Sequence, residues 1–197
     1  MVGADPIEIA LLVARALEEN GVRYVVGGSL ASSISGEPRS TLDVDLVVAL
    51  DEDKVAPVIA ALGADFYSDP ATIRQAIRGK SSANLLHLPS SVKVDLFVMG
   101  GSPIDEEQMD RRLRLKVATE PDRYLYVYTP EDILLQKLRW YRMGNEVSDR
   151  QWRDVLGILA VQGNTLDSVY LKRAAGTLNV SALLLRAVDQ VGKAGDR

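Results

Sequence analysis

The sequence predicts an α+β fold: a small mixed sheet flanked by helices, followed by a C-terminal helical appendage. Three observations carry this. Apolar residues recur at helical spacing in some segments and at alternating, strand-like spacing in others. Two strand-like segments, Asn84 to Leu88 and Val92 to Val98, are joined by only Pro89-Ser90-Ser91, which implies an antiparallel hairpin. After Thr129-Pro130-Glu131-Asp132 the strand signals stop and only helices remain. We place the division at residues 1–128 and 129–197.

The elements follow in order. Ile9, Leu12, Val13, Ala16 and Leu17 define an amphipathic helix that ends at Asn20-Gly21. Tyr24-Val25-Val26 is a short strand broken by Gly27-Gly28, and Ser29 to Ile34 forms the next helix, ended by Gly36 and Pro38. Val44 to Ala49 is an apolar strand interrupted by Asp45, with a helix after it at about Lys54 to Leu62. Asp65-Phe66-Tyr67 is a short strand. Ser68-Asp69-Pro70 starts a helix that runs to Arg78. The hairpin comes next, then a helix from Asp105 to about Leu113 and a strand from Tyr124 to Tyr128. Thr129 caps a helix over Pro130 to Met143. Ser148 and Gln151 form a capping-box pattern before a helix to Val161, and Asp167 to Leu178 and Ser181 to Val191 complete the set.

Composition narrows the chemistry. The 197 residues are 47% hydrophobic and 25% charged, enough for a core without staples. With no cysteine, disulfides, thiol catalysis and cysteine-bound metal centres are excluded, and one histidine, His87, is too few for a histidine-rich site. Any bound metal is therefore hard and oxygen-liganded, with Mg2+ or Mn2+ leading. No apolar run approaches the length of a membrane span and the first residues lack a secretory pattern, so a cytoplasmic protein with no membrane partner is expected. The net charge of −4 does not indicate a broad basic face for nucleic acid. The local run Arg111, Arg112, Arg114 and Lys116 reads as a solvated helix face.

The acids carry the functional signal. Asp43 and Asp45 stand two apart on a strand, so their side chains point to the same face. Two like charges on one side of an apolar strand need water, an arginine or a divalent cation to neutralise them. Asp95 repeats the pattern within Val92-Lys93-Val94-Asp95-Leu96-Phe97-Val98. If the two strands are neighbours, three carboxylates converge, the set that two Mg2+ ions use to hold a triphosphate and activate an attacking oxygen. Gly27-Gly28-Ser29 lies between a strand and a helix start, a turn that brings backbone N–H groups toward phosphate. Alone it is a weak signal. Arg39, four residues before Asp43, either contacts a phosphate or steadies the loop. His87 reads as a strand-face histidine with a satisfied hydrogen bond rather than a general base. Trp140, Tyr141 and Trp152 read as helix packing rather than a base-stacking platform.

The stretch GGSLASSISGEPRSTLDVDLVV, with VDLF at 94–97, resembles the signature of the DNA-polymerase-β-like nucleotidyltransferase superfamily. Its form, with the later Pro130-Glu131-Asp132-x-x-x-x-Lys137-Leu138 segment, is similar to AbiEii-type and related uncharacterised bacterial nucleotidyltransferases. The resemblance covers most of the chain and implies a nucleotidyltransferase-type sheet. It also implies that Gly27, Gly28 and Ser29 hold nucleotide phosphates. Asp43 and Asp45 would bind both of two Mg2+ or Mn2+ ions, with Asp95 binding one. Lys137 and Asp154 occupy places that serve the nucleotide in AbiEii-type toxins, although Trp140 and Gly144 stand where that family has Ala and Arg. A solvated helix lysine is the other reading of Lys137.

The implied activity is metal-dependent transfer of NMP from a nucleoside triphosphate, such as ATP, to a hydroxyl of a tRNA, a protein or a small molecule, with release of pyrophosphate. A cognate antitoxin is an implied partner. The rival reading is a non-catalytic nucleotide-binding or toxin–antitoxin partner module on the same fold.

Overall fold

The computed structural model describes residues 5–35 and 43–195. They divide into two compact units, one comprising the described residues up to 30 and from 43 to 127, the other those from 31 to 35 and from 128 to 195.

The first unit is built on a mixed sheet. Among the described residues its seven strands are β1 (Tyr24–Val26), β2 (Val44–Val48), β3 (Phe66–Tyr67), β4 (Ser82–His87), β5 (Val92–Val98), β6 (Leu113–Thr119) and β7 (Asp122–Val127), in the order β3-β4-β5-β2-β1-β7-β6. The pairs β2–β5 and β1–β7 are parallel and the rest antiparallel, including the expected β4–β5 hairpin.

Strand alternation decides which face is covered. Val44, Leu46 and Val48 of β2 lie beside Val94, Leu96 and Val98 of β5, and Leu85 and Ala83 of β4 continue two of these rows; all are buried. Helices α1 (Pro6–Glu19), α3 (Val55–Leu62) and α4 (Pro70–Gly79) cover them, α1 and α4 touching the strands and α3 packing against both helices. The intervening residues point to the opposite, less covered face. There β2 presents Asp45 and Val47, β5 presents Lys93, Asp95 and Phe97, and β4 presents Ser82, Asn84 and Leu86.

The helix ends follow local chemistry. Asp5 and Asp69 accept backbone N–H groups at the starts of α1 and α4. Helix α5 (Pro103–Arg111) starts in a reciprocal capping box between Ser102 and Asp105. Gly21 at φ 66° and Gly63 at φ 73° supply left-handed turns after α1 and α3.

One stretch corrects the sequence reading. The helix expected to reach Leu113 ends at Arg111, and Leu113–Thr119 is strand β6. Its Leu-Arg-Leu-Lys-Val pattern has period two, and β7 supplies the cross-strand partners that realise it. Beyond Arg111 the basic run is therefore not a helix face. The Arg114 guanidinium lies 3.8 Å from the centre of the Tyr124 ring, that of Arg112 lies 4.6 Å from the Tyr126 ring, and Lys116 pairs with Asp122 at 2.7 Å.

The second unit is helical. Its main helices are α6 (Pro130–Met143), α7 (Asp149–Gln162), α8 (Ser168–Thr177) and α9 (Ser181–Gly195), and the last residues of α2 (Gly28–Ser35) group with it. Leu134, Leu138, Val155, Ile158, Ala174, Val180 and Ala187 are fully buried among them. The fully buried Asp132 carboxylate accepts from Thr129 Oγ1 at 3.0 Å and Tyr170 Oη at 2.5 Å, which ties the start of α6 to α8. Tyr141 and Trp152 pack at 5.1 Å between ring centres and so serve helix packing, whereas Trp140, expected to pack with them, is exposed. The Ser148–Gln151 cap is one-sided: Ser148 Oγ accepts from the Gln151 N–H, while Gln151 Oε1 is buried without a partner.

Candidate active site

The parallel pairing of β2 and β5 sets Asp45 directly beside Asp95. Neighbouring strands lie about 4.8 Å apart, so the two carboxylates share one face at close range. Asp43 lies two residues earlier, exposed at the entrance to β2. Asn84 of β4 is the register partner of Asp95 on its other side.

The glycine turn is locked to this pair. Gly27 N–H donates to the Asp45 carbonyl at 2.9 Å. Gly28 has φ 59°, and a Cβ there would stand 1.7 Å from Asp45 Oδ2 and 2.5 Å from its Cγ. Only glycine meets both constraints: the left-handed backbone and the carboxylate filling the space of the side chain. Gly28 also begins α2, whose first turn directs N–H groups outward, and Ser29 is buried at its start.

The sequence reading missed Lys93. Its ammonium meets Asp95 Oδ2 at 2.9 Å, with the lysine side chain 50% and the aspartate side chain 18% exposed. The hydrogen bond to Asp95 raises the Lys93 pKa, burial opposes this in part, and the charges of Asp95, Asp43 and Asp45 raise it further. Lys93 therefore sits in the common field of all three acids. The signal was present in the sequence: Lys93 precedes Asp95 by two, so strand alternation puts both on one face.

Two carboxylates about 5 Å apart repel by about 3 kcal/mol at an effective dielectric constant of about 20, and this ammonium offsets part of that repulsion. Among the described residues no three acids or histidines stand together as a ready cage for a metal ion. The donor set nevertheless fits a hard divalent ion. The donors are carboxylate oxygens, Gly28 leaves the room that the Asp45 carboxylate fills, and a cation is already accommodated against Asp95.

Lys137 on α6 and Asp154 on α7 belong to the helical unit and pair with each other at 2.8 Å, their side chains 6% and 13% exposed. Lys137 is thus a buried, paired lysine rather than a solvated one. Arg39 lies outside the described residues. His87 is buried, with Nδ1 2.6 Å from Ser90 Oγ and its ring against Phe66, which accords with a packed strand-face histidine.

Residues 11–182 match the family model described as nucleotidyl transferase AbiEii toxin, type IV toxin–antitoxin system. The chain belongs to the AbiEii nucleotidyl transferase family. As an AbiEii-family chain it is a nucleotidyltransferase, and nucleotidyl transfer is its general chemistry.

Solved structures share its fold. An antigenic nucleotidyltransferase-like protein from Paracoccidioides brasiliensis is 19% identical at a TM-score of 0.55, covering 93% of this chain and 92% of that one. The antibiotic-resistance factor ANT(2'')-Ia is 12% identical at a TM-score of 0.55, covering 93% and 97%. At these identities the likeness is one of fold. Comparison with curated proteins gives no significant match. Among the described residues no helix is long and apolar enough to cross a membrane.

Proposed function

We propose that this AbiEii-family protein transfers NMP from a nucleoside triphosphate such as ATP to a hydroxyl acceptor, releasing pyrophosphate, with residues 1–128 as the nucleotidyltransferase domain and 129–197 as a helical domain. The observation that carries the reading is the in-register Asp45–Asp95 pair with Gly28 closed onto the Asp45 carboxylate.

Asp43, Asp45 and Asp95 would hold two Mg2+ or Mn2+ ions, which would neutralise triphosphate oxygens and acidify the acceptor hydroxyl. Gly28 and Ser29 bind phosphate at the first turn of α2, and Gly27, whose N–H is held by the Asp45 carbonyl, shapes the turn that presents them. Arg39 adds a guanidinium to the triphosphate, and Lys137, oriented by Asp154, adds an ammonium. These last roles rest on the resemblance and, for Lys137, on its ion pair. The acceptor oxygen attacks the α-phosphorus in line as the bond to the bridging oxygen of the β-phosphate breaks; its proton leaves with solvent. The residues act by positioning and by charge neutralisation. The acceptor is a tRNA, a protein or a small molecule, the cell provides a cognate antitoxin, and the protein works in the cytoplasm.

The test is the double variant Asp43→Asn with Asp45→Asn, incubated with each labelled triphosphate and cell extract. Label transfer should fall by at least about a thousandfold, in line with loss of electrostatic stabilisation, while the circular dichroism spectrum stays folded. Undiminished transfer would refute the proposal. In the wild type, nucleotide binding with no pyrophosphate release would assign the protein to a non-catalytic partner role.

A further inference from the structure

We propose that Lys93 is a resident counter-ion that occupies the cation position at Asp95 and gives it up when a divalent ion enters. This rests on the reading of Asp43, Asp45 and Asp95 as the metal-holding acids. Two features carry it.

The Lys93 ammonium meets Asp95 Oδ2 at 2.9 Å, within hydrogen-bonding distance, on the side-chain face where Asp95 stands in register with Asp45. The lysine stem is half exposed, so the ammonium can swing into water without leaving a charge buried; the 6% exposure of the Lys137 side chain denies that residue the same freedom.

Lys93 and the divalent ion then compete for the same oxygens. The lysine keeps the acids from repelling one another in the metal-free protein, and it weakens metal uptake until nucleotide arrives with its own negative charge. An exposed ion pair shifts such an equilibrium by up to about fivefold, and removing a positive charge beside a dication adds to this.

Titration of the full-length chain with Mn2+, followed by the spin resonance of the free ion, tests the inference. Lys93→Met should bind Mn2+ about three- to tenfold more tightly than wild type. Lys93→Arg, which keeps the charge and can grip the carboxylate with two N–H groups, should bind no more tightly than wild type. Equal or weaker binding by Lys93→Met overturns the inference.

A measurement on the unaltered protein guards against a variant that does not fold. Saturating Mg2+ should raise amine acylation at Lys93, read by mass spectrometry against the other lysines, and constant labelling overturns the inference as well. Asp43→Asn with Asp45→Asn separates the two levels. If that variant takes up as much Mn2+ as wild type, or if wild type takes up none, the metal reading itself fails. If uptake depends on the acids but not on Lys93, only the counter-ion role fails.

Discussion

Two lysine–aspartate pairs of nearly equal length, 2.9 Å in Lys93–Asp95 and 2.8 Å in Lys137–Asp154, have opposite physical characters. The first lies on the sheet face, half open to water, in the field of two further acids. There Asp43, Asp45 and Asp95 all help to hold the Lys93 ammonium in its charged form, so the acidic field extends beyond a single partner. The second joins two helices with both side chains largely withdrawn from solvent. Distance alone therefore does not tell the two kinds of ion pair apart. Burial and the sum of neighbouring charges do.

Removing the acid from each pair tests this contrast most strongly. Asp154→Ala takes from a buried ammonium its carboxylate partner, and urea unfolding should show a loss of about 3 kcal/mol. Asp95→Ala removes a partner from a half-exposed lysine and also relieves repulsion against Asp45. It should change stability by less than about 1 kcal/mol while abolishing transfer. Comparable stability losses in the two variants would erase the distinction.

Glycine substitutions come next. At Gly28 an added Cβ meets the Asp45 carboxylate at 1.7 Å on a backbone of φ 59°. Gly28→Ala should lose about 2 kcal/mol, with activity falling further than stability because Asp45 is pushed from its place. Gly192 lies within α9 of the helical unit with nothing within 4 Å of its notional Cβ. Gly192→Ala should gain about 0.5 kcal/mol through helix propensity. A Gly28→Ala protein as stable and active as wild type would remove the steric basis for linking the glycine turn to Asp45.

The same contrast explains what could be read from the sequence. Asp43, Asp45 and Asp95 stand out because an acid in an apolar strand is conspicuous. Strand alternation by itself puts the first two on one face. That β2 and β5 are parallel neighbours with Asp45 opposite Asp95 is a fact of chain topology, which local patterns do not encode. Lys93 was overlooked because a lysine at an alternating strand position looks like ordinary solvent-face polarity; only the company of the acids gives it meaning. Strand β6 was missed for a related reason. Arg111, Arg112, Arg114 and Lys116 match a solvated helix in composition, and the preference for a strand is decided by tyrosines on β7 over which the guanidiniums stack. The helical unit was legible almost element by element, since Thr129, Pro130, Ser148 and Asp167 each mark a helix start through local chemistry.

The smallest effect probes the charge balance of the sheet cluster from the side the acids do not occupy. Asn84 stands beside Asp95 on β4 as its register partner, exposed on the same face. Asn84→Asp adds a carboxylate of nearly the same shape directly opposite an existing one. Like charges in facing strand positions are destabilising by about 0.2–1 kcal/mol, so the metal-free protein should melt slightly lower than wild type. Added Mn2+ should recover the difference, and the variant should gain more from the ion than wild type does, because the new acid strengthens the field that attracts it. The parallel change on the helical unit, Gln151→Glu beside the α7 cap, should show no such recovery. If Mn2+ stabilises Asn84→Asp no more than wild type, the sheet face is not the cation-seeking side of the comparison, and the contrast between the two lysine–aspartate pairs reduces to burial alone.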